Sequence, residues 1–269
     1  MSGAVEAQGF LERIAAARRK AVVEAAALRP ESALLGVTPP ARRPFAAALS
    51  GGPGPLAVIA EIKRASPSKG ALRMDLDPSE LAALYAQAGA AAISVLTEPE
   101  FFAARPDDLH NARAACGLPV LRKEFIVAPW QLAESRAMGA DAVLLIVALL
   151  GQQTGAFVDR AAELDLEVVV EVHDAAELEL ALATRAAVIG INNRNLHTFQ
   201  VDSGTARRLA PRAAAAGRLV VAESGIRGRE DLDGLWEAGV RAILVGESLV
   251  RSGDPAGMLG ALRGGSAGC

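Results

Sequence analysis

Ala57-Val58-Ile59-Ala60-Glu61-Ile62-Lys63 is an oily run that ends on two charges. Seven more short, β-branched or aliphatic runs follow at intervals: 91–96, 119–123, 142–147, 167–172, 188–192, 219–223 and 242–245. Near-continuous apolar strands are what a parallel sheet covered on both faces requires. Amphipathic Ala- and Leu-rich stretches lie between them, such as 78–88, 130–138 and 175–184. Strand–helix alternation predicts a parallel α/β fold. Eight units in 269 residues fit a closed barrel better than an open sheet. An open doubly wound sheet usually carries a glycine-rich dinucleotide turn after its first strand, and the chain has no G-x-G-x-x-G and no G-x-x-x-x-G-K-[ST]. Gly89, Gly139 and Gly239 each sit where a helix gives way to a strand, as C-cap glycines do. The expected architecture is a single (β/α)8 TIM barrel spanning 1–269.

Outward from that core, residues 1–55 read as an N-terminal helical extension with a Pro- and Gly-rich connector. Phe10, Ile14, Ala17 and Ala21 recur at spacings of three and four, and the connector runs from Pro39 through Gly51-Gly52-Pro53-Gly54-Pro55. The opening residues lack the charged-then-apolar order of a signal peptide. The tail 263–269 is expected to fray.

Composition narrows the function classes. Apolar residues make up 51% of the chain and the formal net charge is −3, which excludes a wholly disordered chain and argues against nucleic acid as partner. The longest apolar run, Ala142 to Leu150, is half a membrane span. Cys116 and Cys269 make no disulfide framework, so a cytoplasmic location is expected. His110, His173 and His197 show no metal-ligand spacing.

The informative residues are polar ones at strand C-terminal ends, where a barrel of this kind holds its active site. Glu61 and Lys63 share a face of the first strand, Ile62 taking the other. The third strand ends at Lys123, the fifth at Glu171, the seventh at Glu223; the sixth adds Asn192. Alternate strands feed the same interior layer, so Glu61, Lys63, Lys123, Glu171 and Glu223 should converge near the axis. Structural ion pairs would account for any one of them. Five desolvated charges at one end are costly and point to catalysis. Ser66-Pro67-Ser68-Lys69-Gly70, Ser224-Gly225-Ile226-Arg227 and Gly246-Glu247-Ser248 follow the first, seventh and eighth strands. Backbone N–H groups at such loops often bind phosphate; from Glu247 only the N–H would serve.

The segment Ala60 to Gly70 resembles the signature of indole-3-glycerol-phosphate synthase. The resemblance continues in 121–126, 139–146, 189–196, 221–226 and 245–249. It implies ring closure, decarboxylation and dehydration of 1-(2-carboxyphenylamino)-1-deoxyribulose 5-phosphate in tryptophan biosynthesis, without metal or organic cofactor. Lys123 matches the general acid for ring closure, with a pKa that neighbouring cations or desolvation would lower. Glu171 matches the general acid/base carboxylate. Lys63 matches a lysine near the substrate carboxylate and phosphate with a share in dehydration. Glu61 matches an orienting, proton-handling carboxylate. Asn192 matches a residue bonding substrate hydroxyls, and Glu223 and Ser224 match the seventh-strand pair. Ser66, Gly225, Gly246 and Glu247 match the phosphate cradle. A phosphorylated small molecule is therefore the expected partner, and other tryptophan-pathway enzymes are left open as partners.

The remaining residues carry blander expectations. Phe125 walls the aromatic ring or belongs to the core. Arg194 contacts the substrate carboxylate or holds Glu61, the second being favoured. Trp130 and Trp236 read as helical packing residues, and His110 and His197 as surface residues. His173 is taken to alternate away from Glu171, as a loop or helix-start residue. Arg18-Arg19-Lys20 is a solvated face or part of a lid. Two other functions compete: phosphoribosylanthranilate isomerase, whose expected first-strand cysteine is replaced here by Glu61 and Lys63, and a non-catalytic phosphate-binding barrel.

Overall fold

Alternation along eight strands divides the interior of the protein in two. A computed structural model describes residues 9–50, 56–196 and 198–264; the 51–55 part of the connector, His197 and the end of the tail with Cys269 lie outside the described residues. The strands are β1 (Ala57–Ile62), β2 (Ala92–Leu96), β3 (Val120–Lys123), β4 (Ala142–Ile146), β5 (Glu167–Val172), β6 (Val188–Asn192), β7 (Leu219–Glu223) and β8 (Val240–Val245). Each pairs in parallel with its neighbour, and β8 closes onto β1 through Ala57–Ala242 to Ala60–Val245. Val58, Ala60, Val143, Leu145, Val168, Val170 and Ile243 face outward into the layer shared with the helices. Ile59, Leu121, Leu144, Val169, Val221 and Leu244 face the axis. This is the filled, layered interior that such barrels require.

The helices are α1 (Phe10–Leu28), α2 (Glu31–Leu35), α3 (Phe45–Ser50), α4 (Pro78–Gln87), α5 (Pro99–Phe102), α6 (Asp108–Ala115), α7 (Trp130–Met138), α8 (Val147–Leu150), α9 (Thr154–Glu163), α10 (Ala175–Leu182), α11 (Gly204–Ala215), α12 (Glu247–Arg251) and α13 (Pro255–Leu262). Asp77 caps α4 by accepting from Ser79 N–H at 2.7 Å, with Pro78 in the first helical position. Gly139 ends α7 at φ +87°, a left-handed conformation that glycine adopts without a Cβ penalty.

Two local expectations fail. No α-helix joins β7 to β8; a 3-10 turn over Arg229–Leu232 and a run of turns do so. Gly228 and Gly234, the latter at φ +73°, punctuate that segment. Trp236 therefore lies in turns rather than a helix, 43% exposed, with the Arg241 guanidinium 3.9 Å from its ring centroid. Residues Ala65–Ser66 and Gly70–Ala71 also form a small antiparallel ribbon beyond β1.

The extension covers both ends of the barrel. Phe45 and Leu49 of α3 are buried with Ala57, Ala92, Ala142 and Val188, at or next to the strand starts. Glu167, the first residue of β5, accepts from Phe45 N–H at 2.9 Å and Ala46 N–H at 2.8 Å. Asp141 accepts from Arg43 N–H at 2.7 Å and pairs with Arg113. At the opposite end, Phe10 and Leu11 of α1 reach over the mouth. Trp130 is partly buried, and its Nε1 donates to Arg29 O at 3.0 Å, beyond the end of α1.

Candidate active site

Lys123 Nζ lies 2.7 Å from Glu171 Oε2 and 2.8 Å from Glu223 Oε2. The three side chains come from β3, β5 and β7, as layering from alternate strands dictates. Glu61 of β1 pairs with Lys63, just beyond the same strand. Asn192 Nδ2 donates to Glu171 Oε1 at 3.2 Å. Glu61, Glu171 and Glu223 are all at least 97% buried, so their charges depend on these partners rather than on water.

Two inward-facing glycines make the room. A Cβ on Gly190 of β6 would collide with Glu223 Oε1, and one on Gly246 with Glu61 Oε2. The charged layer thus fits only because its even-strand neighbours lack side chains at these points.

One lysine cannot satisfy two carboxylates equally. Burial favours neutrality for both, and Lys123 opposes it. Glu171 also has His173 beside it, and is held well below the usual carboxylate range. Glu223 lacks that second cation, and burial together with the Glu171 charge pushes it up to about 7. Lys123 loses charge stabilisation through burial, but Glu171, Glu223 and Glu61 outweigh this and raise its pKa. The expectation of a lowered lysine pKa is corrected: carboxylates, not cations, surround the ammonium.

These groups sit in a mouth of about 610 Å³ with two unlike walls. One is apolar: Phe10, Leu11, Phe102, Phe125, Leu144 and Leu196. The Phe102 and Phe125 rings lie 5.9 Å apart. The other is small and polar: Ser66, Ser224, Gly225, Gly246, Glu247 and Ser248. Ser224 has φ +62°, an unusual backbone for a non-glycine residue, and Gly225 follows at φ +80°. Asn193 Nδ2 donates to Ser224 O at 3.0 Å and fixes that turn.

His173 corrects another expectation. Residues two apart on a strand share a face, so it follows Glu171 inward. Its Nε2 is 3.3 Å from Glu171 Oε1 and its Nδ1 2.9 Å from Glu177 Oε2. Arg194 lines the mouth but does not hold Glu61. It stands past the end of β6, bridges to Val201, and its Nη1 donates to Phe199 O at 3.2 Å. His110 is exposed, as expected.

Glu124, Asn193 and Gly190 also shape the mouth and were not singled out from the sequence, whereas Arg18 belongs to the run left open as a solvated face or part of a lid. Arg19 and Lys20 are exposed, but Arg18 turns in and its Nη2 donates to Glu124 Oε2 at 3.3 Å. The signal was available, because Leu11, Ile14, Ala15, Arg18 and Val22 form one helical stripe. Glu124 also accepts from Thr97 Oγ1 and Phe125 N–H. It ties α1 to the two residues that flank it, Lys123 and Phe125.

The family model described as indole-3-glycerol phosphate synthase matches residues 11–262. This chain belongs to the indole-3-glycerol phosphate synthase family. Among its relatives, the synthase of Bordetella pertussis is 49% identical over 251 residues, covering 91% of this chain and 95% of that one. The synthase of Azoarcus sp. is 48% identical, covering 95% and 99%. Members of the indole-3-glycerol phosphate synthase family are carboxy-lyases, and the mouth described above is the candidate site for that chemistry. The tryptophan synthase alpha subunit of Pyrococcus furiosus shares the fold, with a TM-score of 0.57 and 16% identity over 78% of this chain and 98% of that one. No helix among the described residues is long and apolar enough to cross a membrane. Among the same residues, no group of three or more His, Cys, Asp or Glu side chains is placed to hold a metal ion.

Proposed function

We propose that the mouth closes the pyrrole ring of 1-(2-carboxyphenylamino)-1-deoxyribulose 5-phosphate, releases carbon dioxide and water, and yields indole-3-glycerol phosphate. The observation that carries this reading is one ammonium held between two buried carboxylates of unequal acidity. Environments that push two carboxyl pKa values apart supply an acid and a base at one pH.

The anthranilate ring lies against Phe102 and Phe125, and the phosphate against the backbone N–H groups of Gly225, Gly246 and Glu247. Ser66 sits at the same wall, buried, with its Oγ free of any partner among the described residues. The ring carbon that bears the carboxylate attacks the substrate carbonyl. Lys123 delivers a proton to the oxygen as alkoxide charge develops there. An alkoxide is a stronger base than an amine, so even a raised lysine pKa permits the transfer. Carbon dioxide then leaves. Loss of the hydroxyl needs a proton given to it and one removed from the adjacent carbon. Protonated Glu223 and ionised Glu171 are placed for these opposite tasks. Lys63, paired with Glu61, faces the substrate carboxylate and phosphate, and Asn192 and Ser224 bond its hydroxyls. Arg194 lends its positive charge to the same rim. A cytoplasmic location belongs to this reading, since two widely spaced cysteines form no disulfide framework.

The test is the fluorescence rise of indole-3-glycerol phosphate when purified protein meets the substrate with chelator present. A robust rise that Lys123→Met abolishes is expected. Binding without turnover would leave a phosphate-binding barrel instead.

A further inference from the structure

We propose that His173, braced by Glu177, is a positioning residue that keeps Glu171 oriented and ionised when Lys123 hands its proton to the substrate. This inference rests on the function proposed above and deepens it.

The geometry is specific. β5 ends at Val172, and His173 folds back over the mouth end of that strand before α10 begins. Glu177, on the first turn of α10, accepts from His173 N–H at 2.8 Å and lies 2.9 Å from its Nδ1. Backbone and ring are thus clamped by one carboxylate, which aims Nε2 at Glu171. The 3.3 Å gap to Glu171 Oε1 is an ion-pair separation without hydrogen-bond alignment. Contacts of this kind tighten in substrate complexes.

The charges around the imidazole are few. Glu171 faces it from β5 and Glu177 from α10. Apolar α8 packs against both elements and brings no titratable side chain. On α9 and α11, which also pack on α10, Asp159 pairs with Arg185, Arg160 with Glu31 and Glu163, and Arg212 with Glu179. On β6 the neighbour is neutral Asn192. Burial pulls the imidazole down, but two facing carboxylates raise it to about 10.

The chemical need is equally specific. Before reaction, Glu171 is compensated mainly by Lys123. Once Lys123 has given up its proton it is neutral, and a carboxylate this buried would take up a proton itself. A second cation on the far side prevents that. Glu223 has no such partner, and it is the carboxylate pushed towards neutrality.

His173→Gln keeps a hydrogen-bonding side chain and removes the charge. We expect kcat to fall about tenfold, with KM and melting temperature close to wild type. The acidic limb of the kcat profile should move up by about one pH unit. Glu177→Gln should move the same limb in the same direction by less, and double replacement should add little to His173→Gln. A wild-type limb and kcat in His173→Gln overturn the proposal. So does a fall in kcat with no movement of the limb, which a purely structural role would give. An imidazole NMR titration reads the pair independently of turnover: His173 should stay protonated above the ordinary histidine range and drop towards it in Glu177→Gln. If wild type shows no turnover, the proposed function fails. If wild type turns over and Glu171→Gln is inactive while His173→Gln is normal, only this inference fails.

Discussion

Gly190 and Glu223 face each other inside the barrel, and the missing side chain of one is the space occupied by the carboxylate of the other. Val169 Cγ1 stands 3.0 Å from the same point, so a methyl there must displace the carboxylate and press on Val169. Gly190→Ala should cost about 1–3 kcal/mol of stability, the usual range for overpacking. It should also turn the Glu223 carboxylate away from Lys123 and lower kcat more than it raises KM. Thermal melts and steady-state kinetics check both. A variant with wild-type kcat would show that Glu223 does not need this position.

Glu223 also leaves a mark on stability against pH. Its folded pKa is raised to about 7 from an ordinary 4.5, chiefly by burial. Between these values the folded protein holds a proton that the unfolded chain releases. Its contribution is fully present below the ordinary pKa and is lost as pH rises through about 7. Glu223→Gln has no such proton. The stability of wild type relative to this variant should therefore fall between pH 5 and pH 8. Glu171, ionised in both states throughout that window, adds nothing to the difference. Equal denaturant midpoints for the pair at both pH values would contradict the raised pKa.

Arg18 closes α1 over the mouth through Glu124. Arg18→Met removes a charged hydrogen bond to a buried carboxylate that keeps Thr97, Arg122 and Phe125 N–H as partners. A loss of about 1–3 kcal/mol is expected. KM should rise as Phe10 and Leu11 loosen, and protease should cut α1 sooner. Adding Glu124→Gln should recover part of the stability. Unchanged KM and proteolysis would mean that α1 stays closed without this pair.

Tyr85 gives a prediction of opposite sign. It is fully buried on α4, and its hydroxyl has no hydrogen-bond partner among the described residues. Burial raises its pKa. Tyr85→Phe should be neutral or stabilising by up to about 1 kcal/mol, because an unsatisfied polar group is removed with its shape kept. A clear loss on chemical denaturation would reveal a partner for the hydroxyl.

The strands were legible because a barrel wall buried on both sides leaves eight oily runs in the chain. The mouth was legible because Glu61, Lys123, Glu171 and Glu223 interrupt those runs at their C-terminal ends. Who pairs with whom was not. Lys123 and Glu223 are brought together only by the register of strands far apart in sequence. The sign of the Lys123 pKa shift depends on that same convergence. Arg194 escaped the pleat because β6 ends two residues earlier. His173 was legible in principle, since the period of two that places Glu61 with Lys63 places Glu171 with His173. The helix expected before β8 is absent because glycines and aspartates there favour turns.

Asp141 and Glu167, at the strand starts, hold the stretch Arg43 to Ala46 by its backbone N–H groups, and Phe45 fills the opening beneath. Carboxylates that grip main-chain donors are indifferent to which side chains the gripped segment carries, provided that it keeps its path. The eight-stranded cylinder is therefore not a portable part. A chimera that takes over only the strands and their helices from this chain would begin with its floor open to water, and the donor segment has to start no later than Arg43.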